Sequence, residues 1–105
     1  MDINNLMSQA KEMQEKMAAI QDGLAAKTVT GSAGGGMITT TVNGRGDLLA
    51  ISIEKEVIST DDVEMLQDLI VAATNDGLRK AKELGKSEMA RLTSGLNIPG
   101  LSNIF

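Results

Sequence analysis

The sequence predicts an α+β fold: a long N-terminal helix, a three-stranded antiparallel sheet, and a long C-terminal helix with a short distal helical piece. Three observations carry that reading. Apolar residues recur at alternating intervals of three and four from Ile3 to Leu24. Between Thr28 and Ile53, three short β-prone runs surround a triple glycine, Gly34-Gly35-Gly36, and an Asn43-Gly44-Arg45-Gly46 turn. From Val63 onward the helical spacing of apolar residues returns.

The first helix presents Ile3, Leu6, Ala10, Met13, Met17, Ile20 and Leu24 as a narrow heptad seam. Such a seam suits contact with one other helix, the chain's own second arm or a symmetry mate; a surface helix on its own core is the plainer alternative. Gly23 weakens the last turns, and Lys27-Thr28-Val29-Thr30-Gly31 reads as the first strand. Residues 32–36 form a flexible loop. The second strand, residues 37–42, places Ile38 and Val42 on one face around Thr40. Asn43-Gly44 is a strong hairpin signal, and the Arg45-Gly46 that follows lengthens the turn and introduces a bulge. The third strand, residues 47–54, directs Leu49, Ile51 and Ile53 to one side.

Three strands with one apolar face need a cover, and the second helix supplies it. Ser59, Thr60, Asp61 and Asp62 offer caps and early acids suited to the positive end of a helix dipole. Leu66, Leu69, Ile70, Ala73, Leu78, Ala81 and Leu84 then hold helical spacing, while Gly77 and Gly85 interrupt it and mark a bend or a close contact. A last helical piece, residues 86–92, stops before Thr93-Ser94-Gly95. Residues 1–92 are therefore expected to form a single domain, and residues 93–105 a glycine-rich, flexible tail.

Composition narrows the function. The chain has 105 residues and seven methionines, lacks Trp and Tyr, and has Phe105 as its one aromatic residue. Aliphatic side chains and methionine must fill the core, and a second copy is expected to supply part of it. The absence of cysteine and histidine excludes disulfides, thiolate chemistry, Cys/His zinc sites and histidine-dependent acid–base catalysis. The N-terminus lacks the pattern of a secretory signal, and no apolar run is long enough for a membrane span. The expectation is a cytoplasmic protein without cofactor, metal or small-molecule substrate, and not an enzyme.

Two motifs tempt and fail. The glycine run is followed by Met37-Ile38 and a strand, where a phosphate-binding loop requires Lys-Ser/Thr and a helix. Arg45-Gly46-Asp47 spells an adhesion tripeptide, but a hairpin turn accounts for all three residues. The acids Glu54, Glu56, Asp61, Asp62, Glu64 and Asp68 lack the spacing of a calcium loop.

Charge is divided unevenly along the chain. Residues 1–78 hold five bases against twelve acids, a net charge of −7, whereas residues 79–105 hold five bases against two acids, a net charge of +3. The distal bases are Arg79, Lys80, Lys82, Lys86 and Arg91. Either they are a solvated face that complements the C-terminal helix dipole, or two copies present paired basic tips to a phosphate backbone. Without aromatic side chains for base stacking, duplex DNA held through phosphate and shape is the better nucleic-acid partner.

The order of parts is also specific. Asn5-Leu6-Met7-Ser8-Gln9-Ala10-Lys11-Glu12-Met13-Gln14-Glu15-Lys16-Met17 runs into Val29-Thr30-Gly31 and Gly34-Gly35-Gly36-Met37-Ile38. Val42-Asn43-Gly44, Ile51-Ser52-Ile53, the stretch from Glu64-Met65-Leu66 to Thr74-Asn75-Asp76, and Leu96-Asn97-Ile98-Pro99-Gly100-Leu101 follow. Over nearly its whole length the chain resembles the YbaB/EbfC family of bacterial nucleoid-associated proteins. That resemblance implies a tweezer-shaped homodimer that binds DNA in the nucleoid and contributes to nucleoid organisation or gene regulation. The family brings no sharp binding motif, so the expected DNA contacts come from charge: Arg79, Lys80, Lys82, Lys86 and Arg91, with Lys11 and Lys16 secondary. The competing expectation is a non-enzymatic protein–protein adaptor that uses the heptad helix and the acidic body, linked to DNA repair or replication.

Overall fold

The computed structural model describes residues 2–58 and 61–96. Helix α1 (Ile3–Ala26) leads into strands β1 (Thr28–Ala33), β2 (Ile38–Asn43) and β3 (Leu48–Ile53), then a single helical turn, α2 (Lys55–Ile58), and helix α3 (Val63–Leu96). The strands form one antiparallel sheet in the order β1-β2-β3. The molecule is elongated, 69 × 24 × 17 Å.

Helix α1 starts at Asp2, whose carboxylate accepts a hydrogen bond from the Asn4 N–H at 3.2 Å. It ends where the Lys27 N–H donates to the Leu24 carbonyl at 3.2 Å. Its seam is largely open: Ile3 is 71 % exposed, Leu6 46 % and Met17 41 %, and Leu24 is the one fully buried member. Over most of its length no element among the described residues covers the seam, so α1 projects from the body as an arm.

The core lies between the sheet and the first half of α3. Ile38, Val57 and Ala73 are buried together, and Ile53, Leu66, Leu69 and Ile70 close around them. Thr40 shares this inner face, and its hydroxyl donates to the Ala73 carbonyl at 2.8 Å, which satisfies a polar group that burial would otherwise penalise. Close approach of α3 depends on a pair of glycines. A side chain on Gly31 of β1 would overlap the backbone of Ala73 and Gly77, and one on Gly77 would come within 2.7 Å of Val42. The glycine expected to bend or mark a contact is thus a contact, and α3 runs unbroken through both Gly77 and Gly85 to Leu96. The first four residues of the expected tail belong to this helix; residues 97–105 lie outside the described residues.

Strand β3 departs from its expected facing. Its register with β2 shifts between Thr41 and Val42, so that Ala50 opposes Thr41 while Leu48 opposes Val42. The bulge takes Leu49 out of the inward series and puts Leu48 there with Ile51 and Ile53. Helix α3 packs across β1 and β2, and β3 is the uncovered edge. Leu48, Leu49 and Ile51 are accordingly 43 %, 55 % and 43 % exposed. At the opposite end, Gly34, Gly35 and Gly36 take φ values of 64°, 67° and 93°, a left-handed run that side chains would resist.

Candidate nucleic-acid interface

Two carboxylates on α3 fasten the helix, Asp76 to β1 and Glu88 to Lys27 at the junction of α1 and β1. Asp76 accepts from the Ser32 N–H at 3.0 Å, from Lys80 at 3.2 Å and from Arg79, and the Lys80 ammonium also donates to the Thr30 carbonyl at 3.1 Å. Twelve residues further on, Glu88 accepts from Lys27 at 2.7 Å and lies 3.5 Å from Arg91. The Ser32 N–H, and after it Lys80, lower the Asp76 pKa; Lys27 does the same for Glu88. A carboxylate whose pKa is lower in the folded than in the unfolded chain stabilises the fold above its unfolded value, and that contribution is lost as pH falls through the folded value. The melting temperature is therefore expected to hold steady down to about pH 5 and to fall below about pH 4. In Asp76→Asn/Glu88→Gln the neutral-pH value should be lower and the acid-side fall shallower; an equally steep fall, measured by circular dichroism, would remove these two groups from the account.

A groove of about 780 Å³ opens between the last turns of α1, the β2–β3 turn and the distal half of α3. Arg45, Lys82 and Lys86 line it together with Gln21, and among the described residues no carboxylate does. Its remaining wall is small or apolar, with Leu24, Ala81, Gly85 and Met89 among the residues. The turn that delivers Arg45 is built by Asn43, whose buried side-chain oxygen accepts from the N–H groups of Arg45 and Asp47 at 3.0 Å each. Gly44 then seats α1, its N–H donating to the carbonyls of Leu24 at 2.8 Å and Lys27 at 2.9 Å. A side chain at Gly44 would collide with that Leu24 carbonyl. The same short loop thus anchors the arm and aims the arginine.

The structure divides the seven expected contact residues. Lys82 and Lys86 share the groove and form no ion pair among the described residues. Arg79 and Lys80 are tied to Asp76, and Arg91 to Glu88. Lys11 and Lys16 are exposed on the projecting part of α1, outside the groove. Arg45, absent from the expected set, joins the two lysines. The helix dipole does not explain the cluster, because its influence is confined to the terminal turn, and the last turn of α3 carries no base. Lys82 and Lys86 stand in mid-helix, 14 and 10 residues before Leu96.

The sequence model of the YbaB/EbfC DNA-binding family matches residues 1–96. The chain belongs to this family. Among YbaB/EbfC relatives, the nucleoid-associated protein of Desulfotalea psychrophila is 64 % identical over 100 % of this chain and 99 % of its own length. A nucleoid-associated protein of Syntrophobacter fumaroxidans is 55 % identical, covering 92 % of this chain and 88 % of its own. The crystal structure of an uncharacterized Helicobacter pylori protein superimposes with a TM-score of 0.79 at 25 % identity, over 89 % of this chain and 98 % of that one. YbaB/EbfC membership favours DNA over the adaptor as the partner, and nothing in these likenesses supports the adaptor. Among the described residues no helix is long and apolar enough to cross a membrane, and no group of three acidic, histidine or cysteine side chains gathers as a metal site.

Proposed function

We propose that the protein is a homodimeric, non-enzymatic nucleoid protein that binds duplex DNA with low sequence specificity, and that Arg45, Lys82 and Lys86 make the central phosphate contacts. One observation carries the reading: three cations line one groove that has no carboxylate among the described residues, on a chain whose formal net charge is −4. Long, flexible basic side chains without aromatic neighbours hold phosphates by charge and do not read bases, so affinity is modest and strongly salt-dependent. Arg79, Lys80 and Arg91 serve first as scaffold and second as flanking charge; Lys11 and Lys16 extend the basic surface along the arm.

The homodimer rests on the apolar surface a single chain leaves open, namely the β3 edge with Leu48, Leu49 and Ile51 and the α1 seam with Ile3, Leu6 and Met17. An unpaired, apolar strand edge readily adds a further strand. Relatives named as nucleoid-associated support placing this protein in the nucleoid. Light scattering at moderate salt is expected to give twice the chain mass, and fluorescence anisotropy with a short duplex to show binding that weakens steeply as salt rises. A monomer would end the dimer reading, and no binding at low ionic strength would end the DNA reading.

A further inference from the structure

The outward face of α3 is divided by charge in a way that makes it complementary to itself. Glu64, Asp68, Val71 and Asn75, followed by Arg79, Lys82 and Lys86, succeed one another at intervals of four, three, four, four, three and four. That spacing holds them on one stripe of a helix with 3.6 residues per turn. From Glu64 to Arg79 the stripe points away from the sheet, against which Ala73 and Gly77 are set, and Lys82 and Lys86 continue it along the wall of the groove. All seven residues are exposed, Val71 by 57 %. The first part of the stripe is acidic, its middle is uncharged, and the rest is basic.

We infer that this face is an interaction surface for α3 of a second copy, laid antiparallel about a twofold axis near Ala73. In that arrangement Glu64 lies beside Lys82, Asp68 beside Arg79, and Val71 beside Asn75, each pair occurring twice. Lys86 reaches the segment just ahead of the partner helix, where Asp61 stands exposed. A parallel arrangement sets acid on acid and base on base, so the charge pattern selects the antiparallel one. The acidic half of one helix matches the basic half of another, and the chain carries both, so a second copy fits this face. Arg79 also holds Asp76 in its own helix, and a guanidinium has further N–H donors to offer.

The contact differs from the β3 edge and α1 seam assigned above to the dimer. With two self-complementary surfaces per chain, dimers associate further, into tetramers or open arrays. Because the second copy's carboxylates occupy the cations assigned to phosphate, DNA and self-association compete for Lys82 and Lys86.

The test contains no DNA, so its outcome is independent of the DNA reading. Sedimentation velocity at low and at high salt is compared for wild type, Glu64→Lys/Asp68→Lys, Lys82→Glu/Lys86→Glu and an equal mixture of the two variants, with circular dichroism to confirm that each is folded. Wild type is expected to reach at least twice its high-salt mass at low salt. Each variant alone should stay at its high-salt mass, since both Glu64–Lys82 contacts then set like charge beside like charge, and the mixture, which restores opposite charges there, should regain the larger species. A salt-independent wild-type mass overturns the inference, as does a Glu64→Lys/Asp68→Lys variant that still associates or a mixture that does not. Should either reversed variant lose helix content, Glu64→Gln/Asp68→Asn replaces the acidic-side change, and association equal to wild type then overturns it.

Discussion

Replacing Arg45, Lys82 and Lys86 together with glutamate is expected to weaken duplex DNA binding by roughly a thousandfold at low salt while leaving the fold intact. All three side chains are exposed and lack ion pairs among the described residues, so their loss strips no contact from the core. Each phosphate contact contributes about 0.9 to the slope of log affinity against log salt. Six such contacts in a dimer would give a slope near five; neutral replacement by alanine should remove most of it. The informative comparison is Arg79→Glu/Lys80→Glu. Those residues hold Asp76, which in turn holds the Ser32 N–H of β1. Their reversal should lower the melting temperature first and weaken DNA binding less. If the groove triple binds DNA like wild type in an anisotropy titration, or if Arg79 and Lys80 prove the stronger pair on a folded protein, the groove is not the DNA site.

The largest effect on stability is expected at Gly31. Valine there would drive its side chain into the Ala73 carbonyl, the Gly77 nitrogen and the Thr40 hydroxyl, two of them backbone atoms that cannot turn aside. Overpacking of an ordinary core site costs about 1–3 kcal/mol, and a clash with fixed backbone belongs at or above the upper end. Helix α3 would have to lift from β1, opening the Thr40 hydrogen bond and the Asp76 clamp together. For a domain of this size a loss of about 3 kcal/mol corresponds to a fall in melting temperature on the order of 15 °C. Gly85→Ala is the control, because a side chain there meets nothing within 4 Å. Replacing glycine by alanine within a helix gains about 1 kcal/mol, so that variant should melt higher. A thermal scan in which Gly31→Val matches wild type would show that α3 does not depend on this close approach.

The elements of the fold were legible because each is written in local periodicity. The heptad intervals announce α1, alternation around Thr40 announces β2, and Asn43-Gly44 announces the turn. What local pattern conceals is which partner a residue meets across the fold. Gly77 reads as a break in a helical run until Gly31, 46 positions earlier, is brought against it. The distal bases read as one cluster until Asp76 and Glu88 claim Arg79, Lys80 and Arg91, and Glu88 does so jointly with Lys27, 61 positions away. Arg45 was obscured in another way. A turn accounted for it fully, and only the folded chain shows that the turn lies beside Lys82 and Lys86. The exchange of Leu49 for Leu48 on the inner face likewise needed the register shift, which a strand's own alternation does not reveal.

Helix α1 spans 24 residues, about 36 Å, yet it is seated on the body mainly through Leu24 and the loop at Gly44. It behaves as a lever whose fulcrum lies at one end. A tilt of about 10° at that seat sweeps the Ile3 end through roughly 6 Å, on the 1.5 Å rise per residue of a helix. The reach of the arm is therefore fixed at its base, by a glycine whose N–H joins the carbonyls of Leu24 and Lys27, at the end of the helix, to the hairpin. Substitutions near Gly44 should be felt most at the far end of the molecule, where nothing has been changed.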